Sequence, residues 1–151
     1  MTISASDDEL SYGLLPKLVG FQLRMAQIAM FRDFANGLSD FDITPGLFGV
    51  LVVIEANPDL KQSDLARAVR LDRSTVVTIV DNLERRQLVV RRASATDRRS
   101  NALQLTADGQ KLLRTLKRRV AEHEKRLVAG LTPEERTTLV TLLAKVFPDL
   151  R

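Results

Sequence analysis

The sequence predicts a mainly α-helical chain with one small β-wing, on three observations. Apolar residues recur every three or four positions through most of its length. Two short runs, 88–92 and 102–106, break that rhythm with strand-like patterning around a polar loop. Hydroxyl or carboxylate residues stand just ahead of several helical runs, where a helix needs a side chain to cap its first amides. With 151 residues, 44% apolar and 28% charged, the chain has the length for one compact unit and the composition of a helix-rich soluble protein.

Leu14, Leu18, Phe21, Met25, Ile28 and Phe31 mark a long amphipathic first helix ending near Asn36-Gly37. Thr44-Pro45 restarts a helix, because proline suits a first helical position after a hydroxyl cap. Its apolar side is Leu47, Phe48, Leu51, Val52 and Ile54, and Asn57-Pro58 breaks it. A short segment, 62–69, turns Leu65, Ala66 and Val69 inward, and a new helix begins at Asp72 with the stripe Val76, Ile79, Val80 and Leu83. After the two strand-like runs, Leu112, Leu116, Val120 and Leu127 form another stripe, which places His123 on the same face as a core or interface histidine. Leu131-Thr132-Pro133-Glu134-Glu135 then reads as a stop and a capped last helix carrying Leu139, Leu142, Leu143 and Val146.

Inventory removes several function classes. Cysteine is absent and His123 is the only histidine, which excludes disulfides, thiol redox chemistry and a Cys/His metal site. No nucleophile motif lies near His123 and no glycine-rich phosphate loop is present, so neither a catalytic site nor a cofactor is expected. The longest uncharged run, 43–54, is about half of the roughly 20 residues a membrane-spanning helix requires. With no secretory signal visible at the N-terminus, cytoplasmic residence is the expectation. Charge is uneven along the chain. Residues 1–60 hold three Lys/Arg against eight Asp/Glu (net −5), residues 61–101 ten against five (+5), and residues 102–151 ten against six (+4). A basic middle segment suits a polyanionic partner, since lysine and arginine displace counterions from phosphates, although a solvated charged face has the same composition.

The outer face of the helix after Asp72 presents Arg73, Ser74, Thr75, Val77, Thr78 and Asn82. These are small or polar groups with one arginine, suited to close approach to base edges and to a guanine contact. Two short helices joined by a tight turn, the second exposing such a face, meet the requirement for a helix-turn-helix in a major groove. The hairpin that follows carries Asp97-Arg98-Arg99 at its tip, two arginines on a loop within reach of a minor groove.

Residues 10–147 resemble the MarR family of winged helix-turn-helix regulators. The resemblance rests on Gln62-Ser63-Asp64-Leu65-Ala66, on Asp72-Arg73-Ser74-Thr75-Val76-Val77 with Leu83-Glu84-Arg85-Arg86, on Leu88-Val89-Val90-Arg91, and on Asp97-Arg98-Arg99 followed by Leu105-Thr106-Ala107-Asp108-Gly109. It implies a non-enzymatic, sequence-specific regulator of double-stranded DNA in which Arg99 enters the minor groove while Asp97 braces the wing. It also implies a homodimer formed by the first and last two helices, reading a near-palindromic operator. On this basis the chain divides into an acidic tail (1–9), a dimerisation helix (10–42), a winged helix-turn-helix domain (43–106) and C-terminal dimerisation helices (107–151). Arg70 and Gln87 stand where many members have glycine, at positions expected to end helices with positive φ.

Family members often bind aromatic acids between the dimer helices and the winged domain. The first helix and the wing 92–100 more particularly resemble regulators of aromatic-acid breakdown, including repressors released by hydroxycinnamoyl-CoA thioesters. The candidate lining here is Phe21, Met25, Ile28, Phe31, Phe48 and Val52, with Arg24 as the anchor for a carboxylate or phosphate. The same apolar residues also suit ordinary core packing. Two further readings stand beside a ligand-released repressor: a constitutive architectural DNA-binding protein without an effector, and a winged-helix module that contacts protein.

Overall fold

Thr44, Asp72, Thr106 and Thr132 each begin a helix by accepting a hydrogen bond from the amide three residues on, at 3.2, 2.9, 3.0 and 3.2 Å. Thr132 completes a capping box, its own amide donating to Glu135 Oε2 at 2.8 Å. The computed structural model describes residues 10–147, so the acidic tail 1–9 and the last four residues, 148–151, of the expected C-terminal dimerisation segment lie outside the described residues. The elements are α1 (Val19–Leu38), α2 (Pro45–Ala56), β1 (Leu60–Lys61), α3 (Gln62–Val69), α4 (Arg73–Arg85), β2 (Val89–Ala93), β3 (Asn101–Leu105), α5 (Ala107–Leu127) and α6 (Pro133–Val146).

The strands form one antiparallel sheet in the order β1-β3-β2, with Val89 opposite Leu105, Ala93 opposite Asn101, and Leu60 opposite Leu103. The hairpin was expected; β1 was not, because two residues carry no readable alternation. Val50, Leu51 and Ile54 of α2, Leu65 of α3, Val76, Val80 and Leu83 of α4, Leu103 of β3, and Leu113 and Leu116 of α5 make one core, joined by Phe34 and Leu38 from the end of α1.

Two stripes differ in detail from expectation. On α5 the deeply buried positions are Gly109, Leu113, Leu116 and His123, while Leu112 and Val120 are half-buried and Leu127 is 41% exposed. On α1, which ends at Leu38, one residue past the expected Asn36-Gly37, only Phe34 and Leu38 are buried. Leu14 and Leu18 lie ahead of α1, flanking a short 3-10 turn at Leu15–Lys17. Both leucines, together with Met25, Ile28 and Phe31, stay exposed. Among its described residues α6 buries none, and Leu139, Val140, Leu142 and Val146 are exposed along it. These apolar faces of α1 and α6 are covered by nothing among the described residues.

α1 and α5 are tied by a polar cluster. His123, 2% exposed, bonds through Nδ1 to Asp33 Oδ2 at 2.6 Å, and Arg126 donates to the same carboxylate from Nη2 at 3.0 Å. The Arg126 guanidinium and then the imidazole hold the Asp33 carboxyl below its usual range. Phe34 meets the imidazole edge-on at 5.5 Å between ring centres. At the other end of α5, Gly109 is buried against Leu88, the residue just ahead of β2, where an added Cβ would overlap the Leu88 carbonyl oxygen and stand 3.0 Å from its carbon. That oxygen accepts the Thr106 amide at 3.0 Å, and the Thr106 hydroxyl donates to Gln87 O at 2.6 Å.

Candidate nucleic-acid interface

α4 is held by its buried stripe, Val76, Val80 and Leu83, and turns Arg73, Ser74, Val77 and Thr78 to solvent, with Thr75 and Asn82 half-buried. Its hydroxyls are already engaged. Ser74 and Thr75 both donate to the Asp72 carboxylate, Thr75 at 2.6 Å, and Thr78 donates to Ser74 O at 3.1 Å. The Ser74 hydroxyl, then that of Thr75 and its amide, hold the Asp72 carboxyl far below the ordinary aspartate range, so the cap is fully ionised at neutral pH. What α4 offers outward is therefore the Arg73 guanidinium, the methyl groups of Val77 and Thr78, and hydroxyl oxygens able to accept hydrogen bonds.

The turns on either side of α4 use residues with side chains in the left-handed region. Arg70, with φ of 54°, closes α3, and Gln87, with φ of 57°, follows α4. Leu71 N donates to Ala66 O at 3.1 Å and Leu88 N to Leu83 O at 2.9 Å, so each helix closes with a bond back to a carbonyl of its last turn. The expected positive φ at these two departures from glycine is what the structure shows.

Two arginines absent from the sequence-derived site hold α4 in place. Arg86 donates to the carbonyls of Asp42 at 3.0 Å and Phe41 at 2.9 Å, tying the end of α4 to the connection between α1 and α2. Arg91 on β2 pairs with Asp81 at 2.7 Å and with Glu84, and donates to Gln62 Oε1 at 3.1 Å, joining wing, α4 and α3. Both stand in the motifs that carry the resemblance, but there their charge does not distinguish a brace from a solvated side chain.

The wing turn spans residues 94–100. Ser94 N donates to Ser100 O at 2.9 Å and Ser100 N to Asp97 O at 3.0 Å, closing the loop. Asp97 accepts the Arg99 amide at 3.0 Å on Oδ1 and the Lys61 ammonium at 3.1 Å on Oδ2, and these donors, the amide first, lower its carboxyl pKa. Arg98 and Arg99 project as exposed cations. Lys61 and Asp59, on or beside β1, both reach this turn across the sheet, a contact that no local pattern announces.

Of the effector candidates, Phe48 and Val52 pack half-buried against the core, Phe21 is half-buried, and Arg24, Met25, Ile28 and Phe31 lie exposed along α1. Between α1 and α6 runs a groove of about 680 Å³ lined by Leu18, Leu23, Ala26, Leu139, Leu142 and Leu143, with Lys17 and Lys145 at its rim. None of the candidate residues lines it. No single described helix is long and apolar enough to cross a membrane.

An exposed, capped helix behind a tight turn, braced by arginines against a hairpin with a basic tip, defines a winged helix-turn-helix. Residues 41–100 match the MarR family model. A protein of Thauera aromatica described as a regulator of its hcr operon is 41% identical over 140 residues, covering 92% of this chain and 84% of its own. The transcriptional repressor CouR bound to a 23-mer DNA duplex superposes with a TM-score of 0.86 at 38% identity, over 91% of this chain and 98% of CouR. CouR bound to p-coumaroyl-CoA gives 0.83 at 36% identity, over 91% and 97%. The chain belongs to the MarR family. It is a transcriptional regulator and not an enzyme.

Proposed function

We propose that the chain acts as a homodimer that represses transcription from a near-palindromic operator and is released by an aromatic acid or aromatic acyl-CoA. The observation that carries this reading is the match, over nearly the full length of both chains, to a repressor solved both on a DNA duplex and with p-coumaroyl-CoA. The physical arrangement supports it. The uncovered apolar faces of α1 and α6 call for a second copy, and a two-fold pair would hold two α4 helices about 34 Å apart, one turn of duplex. Of the described residues, 10–42 and 107–147 would then form the dimer body and 43–106 the reading head. Phe21, Met25, Ile28, Phe31, Phe48 and Val52, with Arg24, face the effector between body and head. An effector that binds better to one spacing of the two heads shifts the dimer toward that spacing and off the operator.

A fluorescence-anisotropy titration against the upstream region of the protein's own gene, at about 150 mM salt with a scrambled duplex as control, tests the reading. A preference of about a thousandfold, reversed by p-coumaroyl-CoA or p-coumarate, is the expected result. Equal binding to both duplexes, untouched by either compound, would favour the architectural alternative. Within the interface, Arg73→Ala should cost about 1 to 3 kcal/mol of specific binding and relax preference at one base pair, because a bidentate guanine contact is lost. Arg99→Ala should instead weaken sites with A·T-rich flanks most, where a narrow minor groove attracts the guanidinium. Competition binding with single-base operator variants separates the two; a uniform loss on every sequence would refute both roles.

A further inference from the structure

Asp59 precedes β1 with φ of 61°, a left-handed conformation that aspartate tolerates better than most residues. That turn sends its carboxylate to the root of the wing, 35 positions on in sequence. Oδ1 accepts the Ala95 amide at 3.0 Å, and Oδ2 accepts the hydroxyls of Ser94 at 2.7 Å and Thr96 at 2.8 Å. Ser94 is 5% exposed, and its oxygen accepts the amides of Thr96 and Asp97, each at 3.2 Å. A hydroxyl has two lone pairs and one hydrogen. Both lone pairs of Ser94 are taken by amides, so its hydrogen needs an acceptor, and the Asp59 carboxylate supplies it at 2.7 Å, nearer than the Thr96 hydroxyl oxygen at 3.2 Å. The Ser94 hydroxyl, then Thr96 and the Ala95 amide, lower the Asp59 carboxyl pKa, as donors to the charged form do. From there the chain of hydrogen bonds is continuous: Asp59 to Ser94, Ser94 to the Asp97 amide, and Asp97 Oδ1 to the Arg99 amide.

We propose that Asp59 is a positioning residue for DNA recognition, fixing the backbone that carries Arg98 and Arg99 and so setting the wing's base preference without touching DNA. The inference rests on the proposed reading of the wing as a minor-groove element. An asparagine at 59 keeps the shape and the left-handed tolerance but has one acceptor oxygen, so whichever way its amide lies an NH2 group faces either the Ala95 amide or the Ser94 and Thr96 hydroxyls, where a carboxylate oxygen accepts. The carboxylate itself is therefore required, not merely its volume.

The test uses the full chain with Asp59→Asn, with Ser94→Ala as a second variant that keeps the carboxylate and removes the buried hydroxyl. Amide hydrogen exchange is read in the free protein, and anisotropy is read on operator duplexes that differ only in A·T or G·C pairs beneath the wings. In Asp59→Asn the amides of Ala95, Thr96 and Asp97 should exchange about tenfold faster while those of α4 keep their protection, since a charge-assisted anchor is lost but the core is not. Ser94→Ala should free Thr96 and Asp97 in the same way. Preference for the A·T duplex should fall about tenfold, as in Arg99→Ala, and the double variant Asp59→Asn/Arg99→Ala should bind no more weakly than Arg99→Ala alone. Wing amides that stay protected, or a flank preference that survives Asp59→Asn but not Arg99→Ala, overturn the proposal. If Arg99→Ala keeps the wild-type preference, the reading of the wing has failed instead, and the exchange rates alone uphold or overturn Asp59 as the residue that fixes it.

Discussion

Gly109→Ala should lower the thermal midpoint by about 10 °C in scanning calorimetry. A single methyl group has this effect because of where it would lie. The first turn of α5 rests on the Leu88 carbonyl, and an added Cβ would overlap an oxygen that is itself bonded to the Thr106 amide. Neither partner is the free end of a flexible side chain, so helix and strand must separate as backbone. Forced overpacking of this kind costs about 3 kcal/mol, and for a chain of this size each kcal/mol shifts the midpoint by about 2 to 4 °C. The same change at Gly130, where an added methyl meets nothing within 4 Å, should leave the midpoint within about 2 °C. Equal behaviour of the two variants would show that α5 lifts off the sheet without cost.

Leu142→Glu should convert the dimer to a monomer in sedimentation at about micromolar concentration and abolish measurable operator binding, while far-UV circular dichroism stays native. Leu142 is 52% exposed in its own chain and lines the groove between α1 and α6, so the folded chain accepts a glutamate there without disturbing its core. In the proposed dimer the same position is covered by the partner, where an unpaired carboxylate costs several kcal/mol. Losing the dimer also separates two linked binding events, which lowers affinity for a two-half-site operator by about a hundredfold or more. A variant that remains dimeric would place the subunit interface elsewhere.

The parts of the molecule that announced themselves in the sequence are those governed by neighbours a few residues away. The caps at Thr44, Asp72 and Thr132 and the stripe of α4 are local chemistry, and so are the two positive-φ positions, Arg70 and Gln87. His123 was legible as a buried residue because helical spacing placed it beside Leu116. Its partner Asp33 was not, since 90 positions separate them. The same holds for Lys61 with Asp97, for Asp59 with Ser94, and for Arg86 with the carbonyls of Phe41 and Asp42. In each case a side chain meets a distant backbone or charge, and a single sequence shows only that a charge is present. The choice of Leu113 over Leu112 for the deep position on α5 is likewise a matter of how the helix is rotated on the sheet, which both leucines satisfy by spacing alone.

The seat of α5 on Leu88 has a mechanical consequence. The helix is 21 residues long; its first turns, through Gly109, Leu113 and Leu116, are fixed to the winged domain, and residues 117–127 beyond them form an arm of about 16 Å. A tilt of about 10° at the root of that arm sweeps its far end through about 3 Å, and conversely a displacement of that size at the Arg126 end bears on the head that carries α4 and the wing. The clasp of Asp33 on His123 and Arg126 grips the arm far from its fulcrum, where a small force has the greatest leverage. In the proposed dimer two such arms act on heads that must match the pitch of one duplex, so a few degrees of tilt suffice to put both out of step with DNA.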